Sequence, residues 1–246
     1  MPRGVRVVLL VLLVLLVLLG VADRVLLRVA QEGVADRLQQ RAGLPGRPTV
    51  TIHGFPFLTQ LAAGRYGDVE VTANGVSTHR FRDLTVRAHL RGVHAPLGGV
   101  VSGSLTELPV DAVDGTIELP YQQVAAAAGI PGLALSVDTR SDRDDRVLVT
   151  GRVTVLGRSY TARARALATV RAGTVAVTAD QATVLGTAVP AAVLAIVARG
   201  LSFVVSVPAL PFGLGITAVH PTATGLEVTA TARDVVLRSG GGTAGR

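Results

Sequence analysis

The feature that most constrains this chain is an apolar run close to its start. Arg3 and Arg6 precede residues 7–22, which are almost entirely leucine and valine, and Asp23 and Arg24 end the run. A helix that is apolar on every face cannot lie at the surface of a water-soluble domain. The basic start and the apolar run predict a segment that enters a membrane and delivers the rest of the chain to its extracytoplasmic side.

The run leaves two outcomes open, a cleaved signal peptide and a retained signal anchor. Within Gly20-Val21-Ala22, small residues occupy the two positions that a signal peptidase reads, and cleavage would secrete the protein. The leucine-rich helix and the lack of a polar segment before these residues favour an anchor, whose membrane positions include Val7, Leu12, Leu16 and Ala22. A helix of this length spans about 24 Å, so crossing the roughly 30 Å hydrocarbon core requires flanking residues or local thinning.

Charge and composition exclude several classes of site. The net charge is +7, and all 24 basic residues are arginine. The absence of cysteine excludes disulfides, thiolate zinc sites and cysteine nucleophiles. Five Phe, three Tyr and no Trp are too few rings for a nucleic-acid stacking platform. The expected anionic partner is therefore a lipid head group or an anionic glycopolymer, and not nucleic acid.

Beyond the apolar run, the sequence period predicts an amphipathic helix and then a mainly β region. Charges at every fourth residue predict a helix over residues 23–44, which would serve as a stalk or a lid. From Thr49 the period is two, with helical interruptions that begin at Pro120 and Pro190. Residues 45–238 are expected to form one domain, and the glycine-rich tail at 239–246 is expected to be disordered.

The predicted strands form a meander of long antiparallel hairpins. A strand at residues 69–73 is expected to turn at Asn74-Gly75 and to be followed by a strand at residues 84–91. The later predicted strands are at 116–119, 133–137, 147–156, 160–170, 175–179 and 226–237. Such strands could close into a barrel or curve around a helix, and the concave face of a curved sheet would suit a lipid.

Catalytic and metal-binding motifs are not recognisable in the sequence. Residues 157–161 and 200–204 begin like nucleophile elbows but lack the closing glycine. His79 and His89 lie about 33 Å apart on one extended strand, too far for one metal ion. The acidic group at 142–145 lacks the glycine and the glutamate of a calcium loop. The sequence therefore predicts no catalytic residue, no metal and no cofactor.

The densest apolar segment after the run, residues 53–66, holds two phenylalanines beside a proline. It is interpreted either as a core plug or as the mouth of an acyl-chain groove. The groove interpretation assigns the following apolar residues to the lipid: Phe55, Phe57, Leu58, Leu61, Phe203 and Phe212. It assigns Arg65 and Tyr66 to the head group, since arginine binds phosphate in a bidentate manner.

Several stretches together resemble the LmeA-like phospholipid-binding proteins of actinobacteria, long grouped as a domain of unknown function. They are the export segment and residues 54–60, 64–66, 116–121, 155–158, 201–203, 210–214 and 225–228. The resemblance covers essentially the whole chain. It implies an α+β, mainly β fold, in which a long curved antiparallel sheet wraps around helix as in tubular lipid-binding domains, preceded by an N-terminal membrane and amphipathic helix.

The resemblance also implies a function, and it supplies no catalytic residue. It implies a cell-envelope protein, at the periplasmic face of the membrane, that binds phospholipids, particularly inositol-containing ones, and supports lipoglycan maintenance. Phospholipids and the membrane surface are the expected partners, with envelope biosynthesis proteins as further candidates. The alternatives are a non-catalytic scaffold that binds other envelope proteins, and an enzyme acting on a lipid-linked sugar through a carboxylate pair that has no sequence motif.

Overall fold

A computed structural model describes residues 3–78, 80–96, 98–99, 107–130, 132–139, 145–155, 157–171, 173–186, 188–206 and 214–238. Four sequence predictions fall outside these residues: Phe212, His79, the acidic residues at 142–144 and the tail at 239–246. The described helices are α1 (Arg3–Ala42), α2 (Phe57–Ala63), α3 (Tyr121–Ala128) and α4 (Ala191–Gly200). The strands are β1 (Thr49–His53), β2 (Arg65–Val76), β3 (Leu84–His94), β4 (Glu107–Pro120), β5 (Ala134–Val137), β6 (Arg146–Val155), β7 (Arg158–Arg171), β8 (Thr174–Val184), β9 (Phe203–Ser206), β10 (Gly215–Pro221) and β11 (Gly225–Arg238).

The strands are divided between two sheets. One has six strands in the order β1-β2-β3-β4-β11-β10, and the other is a five-stranded meander, β5-β6-β7-β8-β9. Every neighbouring pair in the meander is antiparallel. The predicted mainly β, antiparallel class with helix is therefore confirmed. Sequence alternation is the same in both sheets, so it could not divide the strands between them.

The chain forms two compact units. The first comprises Met1–Ala73, Ala88–Val113 and Arg233–Arg246, and the second comprises Asn74–Arg87 and Asp114–Ala232. In the first unit, α1 packs against β1 and α2. The single domain expected over residues 45–238 stays a prediction, because compact units need not fold separately.

The first helix runs without a break from the apolar run into the amphipathic stretch. Its side chains are exposed along the apolar run, whereas Asp23, Leu27 and Ala35 are buried in the first unit. Spacings of four and eight residues put these three side chains on one helix face. Gly43, with a φ of +60°, follows the last helical residue, Ala42, and ends the helix two residues before the predicted end at residue 44.

The turn predicted at Asn74-Gly75 is wrong. Strand β2 continues through both residues and ends at Val76. Gly75 adopts a φ of +75° inside the strand, and Asn74 Oδ1 accepts a 3.0 Å hydrogen bond from the Thr85 hydroxyl. Asn-Gly favours a hairpin when both residues take positive φ, but here only the glycine does so.

The core of the second unit forms between the five-stranded sheet and two helices. Helix α4 packs on β6 and β8, while α3 packs on β5 and β9. Four successive inward positions of β7 are alanines that are at most 3% exposed: Ala162, Ala164, Ala166 and Ala168. Small side chains on this face leave room for the larger Leu201 and Phe203 in the same core.

Candidate functional site

The two phenylalanines of the apolar segment lie in different environments. Phe57 begins α2 and is 1% exposed, and its ring centroid lies 6.1 Å from that of Tyr66. Phe55, two residues earlier, is 67% exposed. Phe57 therefore belongs to the core of the first unit, whereas Phe55 lies on its surface.

Helix α2 is capped by a side chain from α1. Its N-cap residue, Pro56, makes no side-chain capping bond. Instead, Oδ1 of Asp23 accepts a 2.8 Å hydrogen bond from the backbone N–H of Leu58, one of the N–H groups that the first helical turn leaves free. The guanidinium carbon of Arg24 lies 4.9 Å from the centroid of the Phe55 ring. Two consecutive residues of α1 therefore hold the turn at Phe55 and the start of α2.

The predicted head-group residues differ in accessibility. The Arg65 side chain is 62% exposed, and its Nη2 lies 3.1 Å from Oδ2 of Asp111. The other carboxylate oxygen of Asp111 lies 2.9 Å from Nε2 of His94. Tyr66 is 7% exposed, and burial raises the pKa of its phenol. Arg65 thus already binds a carboxylate, and Tyr66 lies mostly inside the first unit.

The Asp111 cluster has a predictable pH response. The hydrogen bond from His94 holds the pKa of Asp111 below its ordinary value, and Arg65 lowers it further, while desolvation acts against them. Because the folded pKa is the lower one, the cluster contributes stability above the carboxyl's unfolded pKa and loses it as the pH falls through the folded value.

We expect His94→Ala to raise the pKa of Asp111 towards its ordinary value, and Arg65→Ala to raise it less. Carbon-detected NMR titration of the Asp111 carboxyl would measure both shifts. An unchanged pKa in His94→Ala would contradict the role of this hydrogen bond.

The remaining residues predicted to bind lipid do not share one environment. Leu58 and Leu61 are half-buried on α2. Phe203, on β9, is 9% exposed in the core of the second unit. The role of these residues as a lipid-binding set stays a prediction.

The second unit contains a mainly apolar cavity, open to solvent on one side, that sequence reasoning missed. Its volume is about 520 Å³, within the range of roughly 300–1,000 Å³ that is usual for ligand pockets. Its wall is formed by Tyr121, Gln122, Ala125, Ala126, Ile130, Gly132, Leu133, Ala134 and Leu135. None of these nine residues is charged. The alanine run of α3 was the available signal, since small side chains on one face of a helix leave space beside it.

Tyr121 fixes the start of α3 at this cavity. Its hydroxyl donates a 2.9 Å hydrogen bond to the carbonyl of Thr222, and its N–H donates to the carbonyl of Thr224. The Thr224 hydroxyl donates in turn to the carboxylate of Glu118. Burial raises the pKa of Tyr121 to about 12, so the phenol stays neutral at physiological pH. The wall of the cavity is therefore tied to the turn before β11.

A second cavity, of about 450 Å³, lies on the outer face of the five-stranded sheet. Its wall includes Arg163, Arg165, Gln181 and Asp138, and the Nε of Arg165 lies 3.1 Å from Oδ2 of Asp138. Charged groups make this wall unsuited to an acyl chain. Within the described parts of the chain, no group of three or more His, Asp or Glu residues could hold a metal ion.

Comparisons with known proteins extend these observations. No curated protein and no solved structure matches the chain. A family model, described as LmeA-like phospholipid-binding, matches residues 21–231, from the end of the apolar run into β11.

Proposed function

Because the chain belongs to the LmeA-like phospholipid-binding family, we propose that it holds a phospholipid acyl chain in the apolar cavity of its second unit. The observation that carries this proposal is a space of about 520 Å³ whose nine described wall residues include no charged side chain. Each buried methylene is worth about 0.8 kcal/mol, so six would supply about 5 kcal/mol before ordering costs. Since the wall is uncharged, the phosphate stays outside this cavity.

We further propose that α1 is retained as an anchor. The helix is long and apolar enough to cross a membrane by length and composition. Cleavage after Ala22 would make Asp23 the first residue, although its side chain is 1% exposed and caps α2. A new terminal ammonium group would then have to be solvated beside this buried contact, which costs free energy.

The finer parts of the proposal concern location and ligand. The basic residues before the apolar run favour an extracytoplasmic, periplasmic position in the cell envelope. The net charge of +7 supports an anionic lipid surface as partner. Within the proposal, inositol phospholipids are the preferred ligands, lipoglycan maintenance is the cellular role, and the protein acts by burial of lipid without catalysis.

The cavity can be tested by filling it at Ala126, an exposed wall residue of α3. We expect the full chain, purified in a detergent that is not a phospholipid, to carry one bound phospholipid in native mass spectra. Ala126→Trp is expected to lower lipid retention about tenfold, because excluding two methylenes costs roughly 1.6 kcal/mol. Ala126→Ser preserves the volume and should retain lipid.

Each outcome of this experiment discriminates between functions. A folded chain without lipid would favour the envelope scaffold that binds other proteins. Equal lipid retention by Ala126→Trp and Ala126→Ser would show that the lipid binds outside the α3 cavity. The intact mass in the same spectra separates a retained α1 from a chain that begins at Asp23.

A further inference from the structure

We propose that the turn carrying Phe55 is a wedge that inserts into the interfacial layer of the phospholipid leaflet from which α1 emerges. The inference rests on the anchoring part of the proposed function. The partner of the Phe55 turn is the leaflet surface itself. This role of Phe55 is separate from that of any lipid held in the cavity of the second unit.

The position of the wedge along α1 follows from two contacts. Asp23 binds the N–H of Leu58 at 2.8 Å, and Arg24 lies 4.9 Å from the Phe55 ring. Both residues follow directly after Ala22, the last residue of the apolar run. With a rise of about 1.5 Å per residue, they lie within about 3 Å of the end of that run along the helix axis.

The length of the apolar run places Asp23 and Arg24, and with them the Phe55 turn, at the membrane boundary. Residues 7–22 span about 24 Å, roughly 6 Å less than a hydrocarbon core. Four more residues of α1 would supply that length, and these are residues 23–26, of which the first two, Asp23 and Arg24, hold the turn. Val25, Leu26 and Val29 are 54%, 43% and 61% exposed, so α1 stays apolar on its outer face through this level. Phe55, at 67% exposed, adds an aromatic side chain beside Arg24 at the same level of the helix.

The charges around the wedge match a phospholipid surface. Arg24 and Arg28 are exposed one helical turn apart, and within the described residues neither forms an ion pair. Arginine at this depth can bind lipid phosphates while an aromatic ring lies among the acyl carbons. Asp23, the only acidic residue before Glu32, is turned inward and is 1% exposed. The surface offered to the leaflet is therefore apolar and basic.

The absence of tryptophan from the chain allows a direct test. In Phe55→Trp the introduced indole is the single tryptophan, and the full chain is reconstituted into phosphatidylcholine and phosphatidylglycerol vesicles that carry brominated acyl chains. Two variants of α1 serve as controls: Val8→Trp lies in the apolar run, and Arg37→Trp lies about 22 Å beyond Ala22 along the helix. Both positions are exposed in the protein itself.

We expect brominated lipid to quench Phe55→Trp severalfold more strongly than Arg37→Trp, and aqueous iodide to quench it severalfold less. If Val8→Trp is quenched by lipid but Phe55→Trp behaves like Arg37→Trp, the wedge is overturned while the anchor stands. If Val8→Trp also escapes lipid quenching, anchoring fails, and the wedge fails with it. Lipid retention in native mass spectra is independent of both results.

Discussion

Phe57→Asp is expected to unfold the first unit, whereas Phe55→Asp, two residues away, is expected to leave it folded. Phe57 is 1% exposed and packs against Tyr66. Truncation of a buried phenylalanine typically costs about 3–5 kcal/mol, and an aspartate adds the cost of a buried charge. That sum is comparable with the free energy of unfolding of a whole domain, which is roughly 5–15 kcal/mol. Lipid loss in Phe57→Asp would therefore report unfolding and not a lost lipid contact.

Phe55→Asp is the matched control, since the same substitution is made at a position that is 67% exposed. It removes the contact with Arg24 and should change the free energy of unfolding by less than about 1 kcal/mol. Circular dichroism during chemical denaturation, together with limited proteolysis, would compare the two variants. Similar midpoints for both would contradict the different burial of the two rings.

Gly225→Ala is expected to destabilise the second unit by about 3 kcal/mol. A Cβ at this position would lie 2.8 Å from the carbonyl carbon of Leu119 and 3.0 Å from Cα of Pro120, and still closer to the Leu119 oxygen. All three atoms are backbone, so no side-chain rotation can relieve the overlap. The strands must separate, and the turn that holds Tyr121 moves with them. Lipid retention in the α3 cavity should therefore fall as well.

The control for this prediction is Gly215→Ala. Gly215 begins β10 as Gly225 begins β11, but a Cβ there would meet no heavy atom within 4 Å. Thermal unfolding should show a decrease of about 6–12 °C for Gly225→Ala and almost none for Gly215→Ala. Equal melting temperatures would show that the β4 and β11 backbones can move apart at no cost.

Local patterns in the sequence predicted the elements better than their assembly. The period of four across residues 23–38 predicted the continuation of α1, and prolines at 120 and 190 marked the starts of α3 and α4. The turn predicted at Asn74-Gly75 was wrong. The dipeptide shows only that the backbone can adopt a positive φ there, and Gly75 adopts it inside strand β2 instead of in a turn. The number of sheets could not be predicted either, since the alternation of apolar and polar residues describes one strand and not the strands that pair with it.

The sequence by itself determined the apolar helix, the mainly β class and the family, because these depend on residue type, on local period and on motifs spread along the chain. Only the tertiary structure decided which phenylalanine is buried, that Asp23 caps a helix 35 residues away, and that Asp111 binds Arg65 from 46 residues away. It also decided that Tyr121 ties the cavity wall to a turn 101 residues further on. Hydrogen bonds, ion pairs and cavities form between groups that the chain brings together only on folding, so a local pattern carries no record of them.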